Sequence, residues 1–324
     1  MDRSPRRVRP PKPPRTRSVS SAAAMSRAKL PPPKRPSHRA ARPVWWDERR
    51  PGGRIRSLIF MSHPGPSLLV TCVLVAIAWL AGRHVPDGSR VLQLVGAMLP
   101  VQLCIGVIND VVDLPADAVT KPHKPLVRGV ISPSSAAGAG VVLGAIGLGA
   151  AATINLATLG LDALALCAGL GYDLGLRRTP LSWVPWWGGM ALLPFEGYAS
   201  VGSIPSRLLA LIPLSGLIAV GLHVANALPD IEGDRAAGRR SLPVLLGAGW
   251  STWVGPGALA AAGLLATLLA GPLGQAGPGF IAGVVVLGAG VGAAVVTRTR
   301  RPFPILAVST AVFAIAWLAS LPRT

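Results

Sequence analysis

The chain reads as an all-α polytopic membrane protein, and three observations predict that class. Its 324 residues are 51% apolar and only 14% charged. Apolar runs recur at ~17–25 residues, the length a helix needs to cross a hydrocarbon core of about 30 Å. These runs are continuous rather than alternating and far exceed the length of a barrel strand, so helices are expected and strands are not.

Nine transmembrane helices are expected, at approximately 66–82, 90–109, 134–153, 155–172, 181–200, 207–228, 250–271, 279–297 and 303–321. Glycine and proline inside several of them are tolerated in membrane helices. Glycine-rich stretches such as GAGVVLGAIGLGA are expected to be surfaces for close helix packing.

The formal charge of +19 is topological rather than a nucleic-acid footprint. With the N-terminus cytoplasmic, 28 of the 32 Lys and Arg fall on the inside and four on the outside. That asymmetry obeys the positive-inside rule. It predicts a multi-pass integral protein, in the cell membrane if the source is bacterial, with the N-terminus cytoplasmic and the C-terminus outside. Cys72, Cys104 and Cys167 all fall in expected spans without paired spacing, so they are read as small apolar core residues, with neither a disulfide framework nor a zinc site.

Residues 1–57 form a separate segment rich in Arg, Lys and Pro, with Asp2 the only acid before Asp47. Such a composition cannot bury a core and is expected to be a disordered cytoplasmic tail leaning on anionic lipid. Met25 offers an alternative start, and Trp45 and Trp46 are expected to meet the membrane interface. Residues 58–324 are expected to form the transmembrane domain.

The polar residues of that domain gather on the expected inside face. Asn109, Asp113 and Asp117 within NDVVDLPAD are spaced by four, and Asn226, Asp230 and Asp234 within NALPDIEGD repeat the spacing 117 positions later. On a helix each triplet would fall on nearly one face and point into a cavity. Pro115 and Pro229 interrupt the two sets, which predicts that Asp117 and Asp234 sit at helix ends, at the mouth. One such acid alone would be an ordinary loop charge or cap. Two matching triplets beside hydrocarbon predict a functional site, because carboxylates there are costly.

Magnesium takes carboxylate, water and phosphate oxygens and rarely has an all-protein cage, so two facing acid clusters suit a metal–diphosphate bridge. Lys121, Lys124, Arg128, Arg177 and Arg178 lie in the same inside loops and are candidates to neutralise the remaining phosphate charge. If the diphosphate carries an allylic lipid, its departure leaves a carbocation that alkylates a nearby nucleophile.

NDVVDLPAD followed by KPHKPLVRGVIS, then YDLGLRRTP, then PDIEGDRAAGRRSLPVLLG, resembles in order the three loop signatures of the UbiA-type intramembrane prenyltransferases. The EGDR and SLPV wording is similar to the chlorophyll-synthase-like and homogentisate-transferase-like branches. The resemblance covers about residues 57–321. It implies nine helices ringed around a central cavity open to lipid, with Mg2+ and a prenyl diphosphate at the cytosolic mouth. By position, Asn109, Asp113, Asp117, Asp230 and Asp234 would be metal or diphosphate ligands, with Asp110 and Asn226 alongside. Lys121, Tyr172, Arg177 and Arg178 would contact phosphates. Arg128 stands where many members have a small residue, and Asp173 follows Tyr172 where a small hydroxyl residue is common.

The expected activity is Mg2+-dependent transfer of the prenyl group to an aromatic or other lipid-phase acceptor. The same site would also serve cyclisation of the prenyl chain or phosphoribosyl exchange at a lipid phosphate. A secondary transporter fits poorly, since the acids gather on one face with no matching set outside. Outside the triplets, Glu196 is expected near the outer interface. His223, one turn deeper than Asn226, is a candidate to position an acceptor or an interior hydrogen-bonded histidine. Trp183, Trp186 and Trp187 are expected to form an interface belt or a wall shielding a carbocation, and His63 is expected to be structural. A fluorescent protein that matures only in the cytoplasm, fused after Thr324, is expected to stay dark; bright cells would reverse the topology.

Overall fold

The computed structural model describes residues 52–320, apart from 62, 273, 275, 299 and 300. The expectations for most of the basic tail, for Met25 and for Trp45 and Trp46 fall outside these residues. Eleven α-helices follow: α1 (Gly53–Met61), α2 (Pro64–Gly82), α3 (Gly88–Thr120), α4 (Pro133–Ile154), α5 (Leu156–Leu174), α6 (Val184–Ala199), α7 (Leu211–Ala227), α8 (Ile231–Ala236), α9 (Leu242–Ala270), α10 (Pro278–Thr297) and α11 (Phe303–Ala319). No strand occurs among the described residues.

Each of the nine expected spans coincides with one of these helices. Seven helical stretches are long and apolar enough to cross a membrane. The other two expected spans, α6 and α11, are shorter at 16 and 17 residues. Short α1 starts at Gly53, inside the segment assigned to the tail.

Helix ends follow local chemistry. Asp87 caps α3 by accepting from Arg90 N–H at 2.7 Å, and Ser132 caps α4 with Pro133 in the first turn. Asn155 caps α5, and its amide also donates to the Ala199 carbonyl at 2.9 Å, tying the start of α5 to the end of α6.

The long helices pack as a closed ring. Each of α2 to α7 contacts the next, α7 packs on α9, α9 on α10, α10 on α11, and α11 returns to α2. Leu222, Leu259, Leu287, Phe313 and Trp317 belong to the largest buried cluster, which runs through α7, α9, α10 and α11. Short α1 and α8 lie outside this sequence of neighbours, against α3 and α9.

Helices in lipid gain little from burying apolar surface against one another, so small residues that permit close approach matter more. Gly140, Gly144 and Gly147 form the buried stripe of α4, as the glycine-rich sequence leads one to expect. At Gly147 a Cβ would lie 2.7 Å from the Ala97 carbonyl oxygen and 2.6 Å from Val101 Cγ2, so α3 rests on the bare backbone. Cys104 is buried against this stripe, whereas Cys72 and Cys167 are exposed on the helix surface, which corrects their reading as core residues. An apolar thiol is as compatible with lipid as with a protein interior.

Gly147→Ala must displace backbone and is expected to cost about 1–3 kcal/mol. Gly149→Ala, with open space around it, should stay within about 0.5 kcal/mol. Thermal midpoints of the two variants in detergent check this, and equal midpoints would show that the α3–α4 contact is not tight.

Candidate active site

The two acidic motifs meet on one end of the ring, carried by α3 and α8. Helix α3 continues through Pro115 to Thr120, so Pro115 does not end it. A proline removes a single N–H, and the following turn is held by Lys121 N–H on the Asp117 carbonyl at 2.8 Å. Asp117 is therefore not a mouth residue: it is 3% exposed. Pro229 does interrupt its helix, since α7 stops at Ala227, a single tight turn covers Leu228–Asp230, and α8 begins at Ile231. Asp230 is exposed and Asp234 half-buried.

The first triplet does not converge. A four-residue step overshoots a helical turn by about 40°, so the face drifts by about 80° over eight residues, while a seven-residue step returns within about 20°. Asn109 accordingly reaches α5, donating to Asp173 Oδ1 at 2.7 Å. Asp113 accepts from Arg177 Nη1 at 2.7 Å and from Arg239 Nη2 at 3.0 Å. Asp110 and Asp117, seven apart, share Lys124, whose ammonium donates to them at 2.7 and 2.6 Å. His63 adds a contact to Asp110 at 3.1 Å, which gives it the structural role expected. Burial opposes charge on Lys124, but the two carboxylates outweigh it and hold the ammonium above its ordinary range.

Arg239 joins the two motifs. It bridges Asp113 on α3 and Asp234 on α8, donating to the latter from Nη1 at 2.8 Å. The chain reaches this position because α8 ends in Gly238, whose φ of 72° is the left-handed turn that glycine makes at little cost. Arg239 N–H then folds back onto the Asp234 carbonyl at 3.0 Å. In α9 a break at Gly247 accompanies a Val244 carbonyl that accepts from Arg235 at 3.0 Å, fastening α8 to α9.

The basic residues divide by environment. Arg177 is 4% exposed, and its Nε and Nη2 find no partner. Lys121 is half-exposed, 3.7 Å from Asp117. Arg178 and Arg128 are exposed, and Arg178 lines a cavity of about 270 Å3 together with Asp113 and Arg239. Asn226 is exposed at the end of α7.

Behind the charged groups lies an aromatic cluster. Trp186 stands 6.4 Å from Tyr172, 5.5 Å from His223 and 6.2 Å from Phe303, between ring centroids. Trp183 and Trp187 stack separately, and Trp187 donates to the Ile212 carbonyl.

Sequence reasoning missed three features. Arg239 was one of several inside arginines, and only the Gly238 turn gives away its reach. Asp162 is fully buried in α5, and a lone acid inside LGLDALALC was the available signal. Glu196 is fully buried too, not at the interface, because the neighbouring Gly197 lets α6 press onto Ile77 of α2. Neither carboxyl has a hydrogen-bond partner.

Residues 68–304 match the model of the UbiA prenyltransferase family. The chain belongs to that family. Digeranylgeranylglyceryl phosphate synthase of Natronomonas pharaonis is 27% identical over 207 residues, spanning 63% of this chain and 74% of that protein. Chloroplastic chlorophyll synthase of Arabidopsis thaliana is 28% identical over 172 residues, 47% of this chain and 42% of that protein. The structure of a UbiA homolog from Archaeoglobus fulgidus bound to GPP and Mg2+ superimposes with a TM-score of 0.59 at 18% identity, covering 82% of this chain and 98% of the other. Among the described residues the ring of helices has the fold of the UbiA prenyltransferases, and this chain is a membrane enzyme of that class.

In this UbiA prenyltransferase Lys124 is the shared cation of two carboxylates that are 2% and 3% exposed. Lys124→Met is expected to cost about 3–5 kcal/mol by leaving both without it. Lys121→Met, at a half-exposed and longer contact, should cost less than about 1 kcal/mol. Thermal unfolding in detergent measures the difference, and a Lys124→Met midpoint no lower than that of Lys121→Met would reject the assignment.

Proposed function

We propose that the chain moves a prenyl group from a prenyl diphosphate to a lipid-phase acceptor, with Mg2+ and the diphosphate seated between α3 and α8. One observation carries the reading. Arg177 is buried beside Asp113 with two guanidinium donors unpartnered, and buried donors without acceptors are rare unless a ligand supplies them. A planar guanidinium in that state suits phosphate oxygens.

The donor set also fits magnesium. Carboxylates from both motifs already converge on one cation, the Arg239 guanidinium, which stands where a divalent ion would draw the same oxygens. Among the described residues no three Asp, Glu, His or Cys side chains gather closely enough to hold a metal alone. A magnesium shell here would be completed by substrate phosphates and water. Asp113, Asp230 and Asp234 would hold the ion, with Asp117 behind them, engaged by Lys124 and Lys121. When bound, Mg2+ would offset the charge that develops on the departing diphosphate.

The chain's own residues do the rest. Arg177, Arg178 and Lys121 take phosphate oxygens, and Arg239 is free to follow once its carboxylates have another partner. Lys124 keeps Asp110 and Asp117 fixed. Asn109 holds Asp173 away from the phosphates, and Arg128 and Asn226 stand at the rim. The C1–O bond of the donor breaks with its electron pair leaving on the diphosphate, the acceptor forms the new bond to C1, and the acceptor's proton is released. Tyr172, Trp186 and Phe303 gather nearby, aromatic side chains of the kind that would stabilise a passing cation. The positive-inside asymmetry supports a cytoplasmic site. The names of the archaeal and plant relatives denote different acceptors, so the acceptor is set here by class, a lipid-phase nucleophile.

Asp230 is exposed and forms no ion pair among the described residues, so Asp230→Ala should leave the thermal midpoint unchanged. Turnover of a radiolabelled prenyl diphosphate should fall at least about a hundredfold, and EDTA should stop the parent enzyme until Mg2+ is restored. Full activity in the variant would remove the metal from α8.

A further inference from the structure

His223 is held at one ring nitrogen and empty at the other. It is 1% exposed on α7, and its Nε2 lies 2.9 Å from Ser182 Oγ. That hydroxyl, itself fully buried, already accepts the Leu242 N–H at 3.1 Å. A hydroxyl has one proton to give, and buried ones seldom leave it unused. Among the described residues the one acceptor paired with Ser182 Oγ is His223 Nε2, so the hydroxyl is assigned as donor there and the imidazole proton to Nδ1. Nδ1 is buried and has no partner in the structure.

The surroundings of the ring are otherwise aromatic. Tyr172 meets it edge-on at 6.0 Å and Trp186 lies at 5.5 Å, contributed by α5 and by the adjacent α6. Asn226 and Asp230 follow one and two turns along the same segment. A single buried N–H donor therefore stands without an acceptor beside two aromatic rings, one turn from Asn226.

We infer that His223 Nδ1–H donates to an oxygen atom of the acceptor, so that the acceptor class is an oxygen-bearing nucleophile. The inference rests on the transferase reading above and narrows it. A site that only folds a hydrocarbon chain on itself has no use for a buried, unsatisfied donor, which would cost stability and offer the cation a competing dipole. A hydroxyl, phenol or carbonyl oxygen satisfies the donor and is thereby oriented toward C1. His223 is a positioning residue for the acceptor, with Ser182 setting its tautomer.

The test uses the full chain in nanodiscs with Mg2+, radiolabelled geranylgeranyl diphosphate, and two acceptor probes, a hydroxybenzoate and a glycerol ether phosphate. For whichever probe is prenylated, His223→Leu should raise its KM or lower kcat/KM roughly tenfold to a hundredfold, with the KM for the diphosphate unchanged. His223→Asn, which places an amide N–H near the Nδ1 position, should recover most of that loss. If His223→Leu does not fold, Ser182→Ala serves in its place and should raise the acceptor KM several-fold with the diphosphate KM unchanged. Parent-like kinetics in the variants, an equal loss for donor and acceptor, or no recovery with Asn would overturn the inference while leaving the transferase reading intact. A hydrocarbon product from the parent enzyme and donor alone, with neither probe prenylated, would overturn the transferase reading itself.

Discussion

Acids placed where helices leave hydrocarbon need cations of their own, and the local architecture follows from how this chain supplies them. Asp110 and Asp117 are nearly sealed from water and survive because Lys124 reaches both. Asp113 and Asp234 belong to helices far apart in sequence and are drawn together by one guanidinium. Those contacts fix where the loop after α3 lies, where α8 docks, and hence the outline of the site. An isolated buried carboxylate would cost several kcal/mol, whereas a satisfied network carries the charge and specifies the geometry.

The packing of the helices and the chemistry at their ends are separable. Contacts such as α3 on α4 depend on missing side chains, with Gly147 against the Ala97 carbonyl, and would be the same for any reaction. The end of the ring depends on polar groups that contribute little to closing it. Relatives named for different products, a digeranylgeranylglyceryl phosphate synthase and a chlorophyll synthase, resemble the same chain. A shared scaffold leaves the choice of substrate to the polar side chains it carries.

Much of this was legible in the sequence because the signals are strong and local. Long apolar runs coincide with the described ring helices, and the matched acid triplets lie at the end of the ring where the ion pairs gather. What escaped depends on geometry over one or two turns. A spacing of four looks like a single helical face, yet its drift sends Asn109, Asp113 and Asp117 to three different partners. Pro115 and Pro229 look alike as breakers. Only Pro229 acts as one, because α3 continues past its proline into a turn pinned by Lys121 and Lys124. Arg239 was hidden by being one arginine among many; a side chain's reach is set by the turn before it, here at Gly238. Asp162 and Glu196 went unread or misplaced because one charge in an apolar run gives no sign of depth.

The bridge made by Arg239 bears on how the protein is born. Its acids do not wait for a metal to be neutralised, since the chain carries their counterions in the adjoining loops. The ring can therefore close as its helices leave the insertion machinery, with no dependence on ion supply. Asp113, Asp117 and Asp234 are neutralised by cations from the chain itself, so whatever binds there would displace a side chain and not fill an empty negative hole.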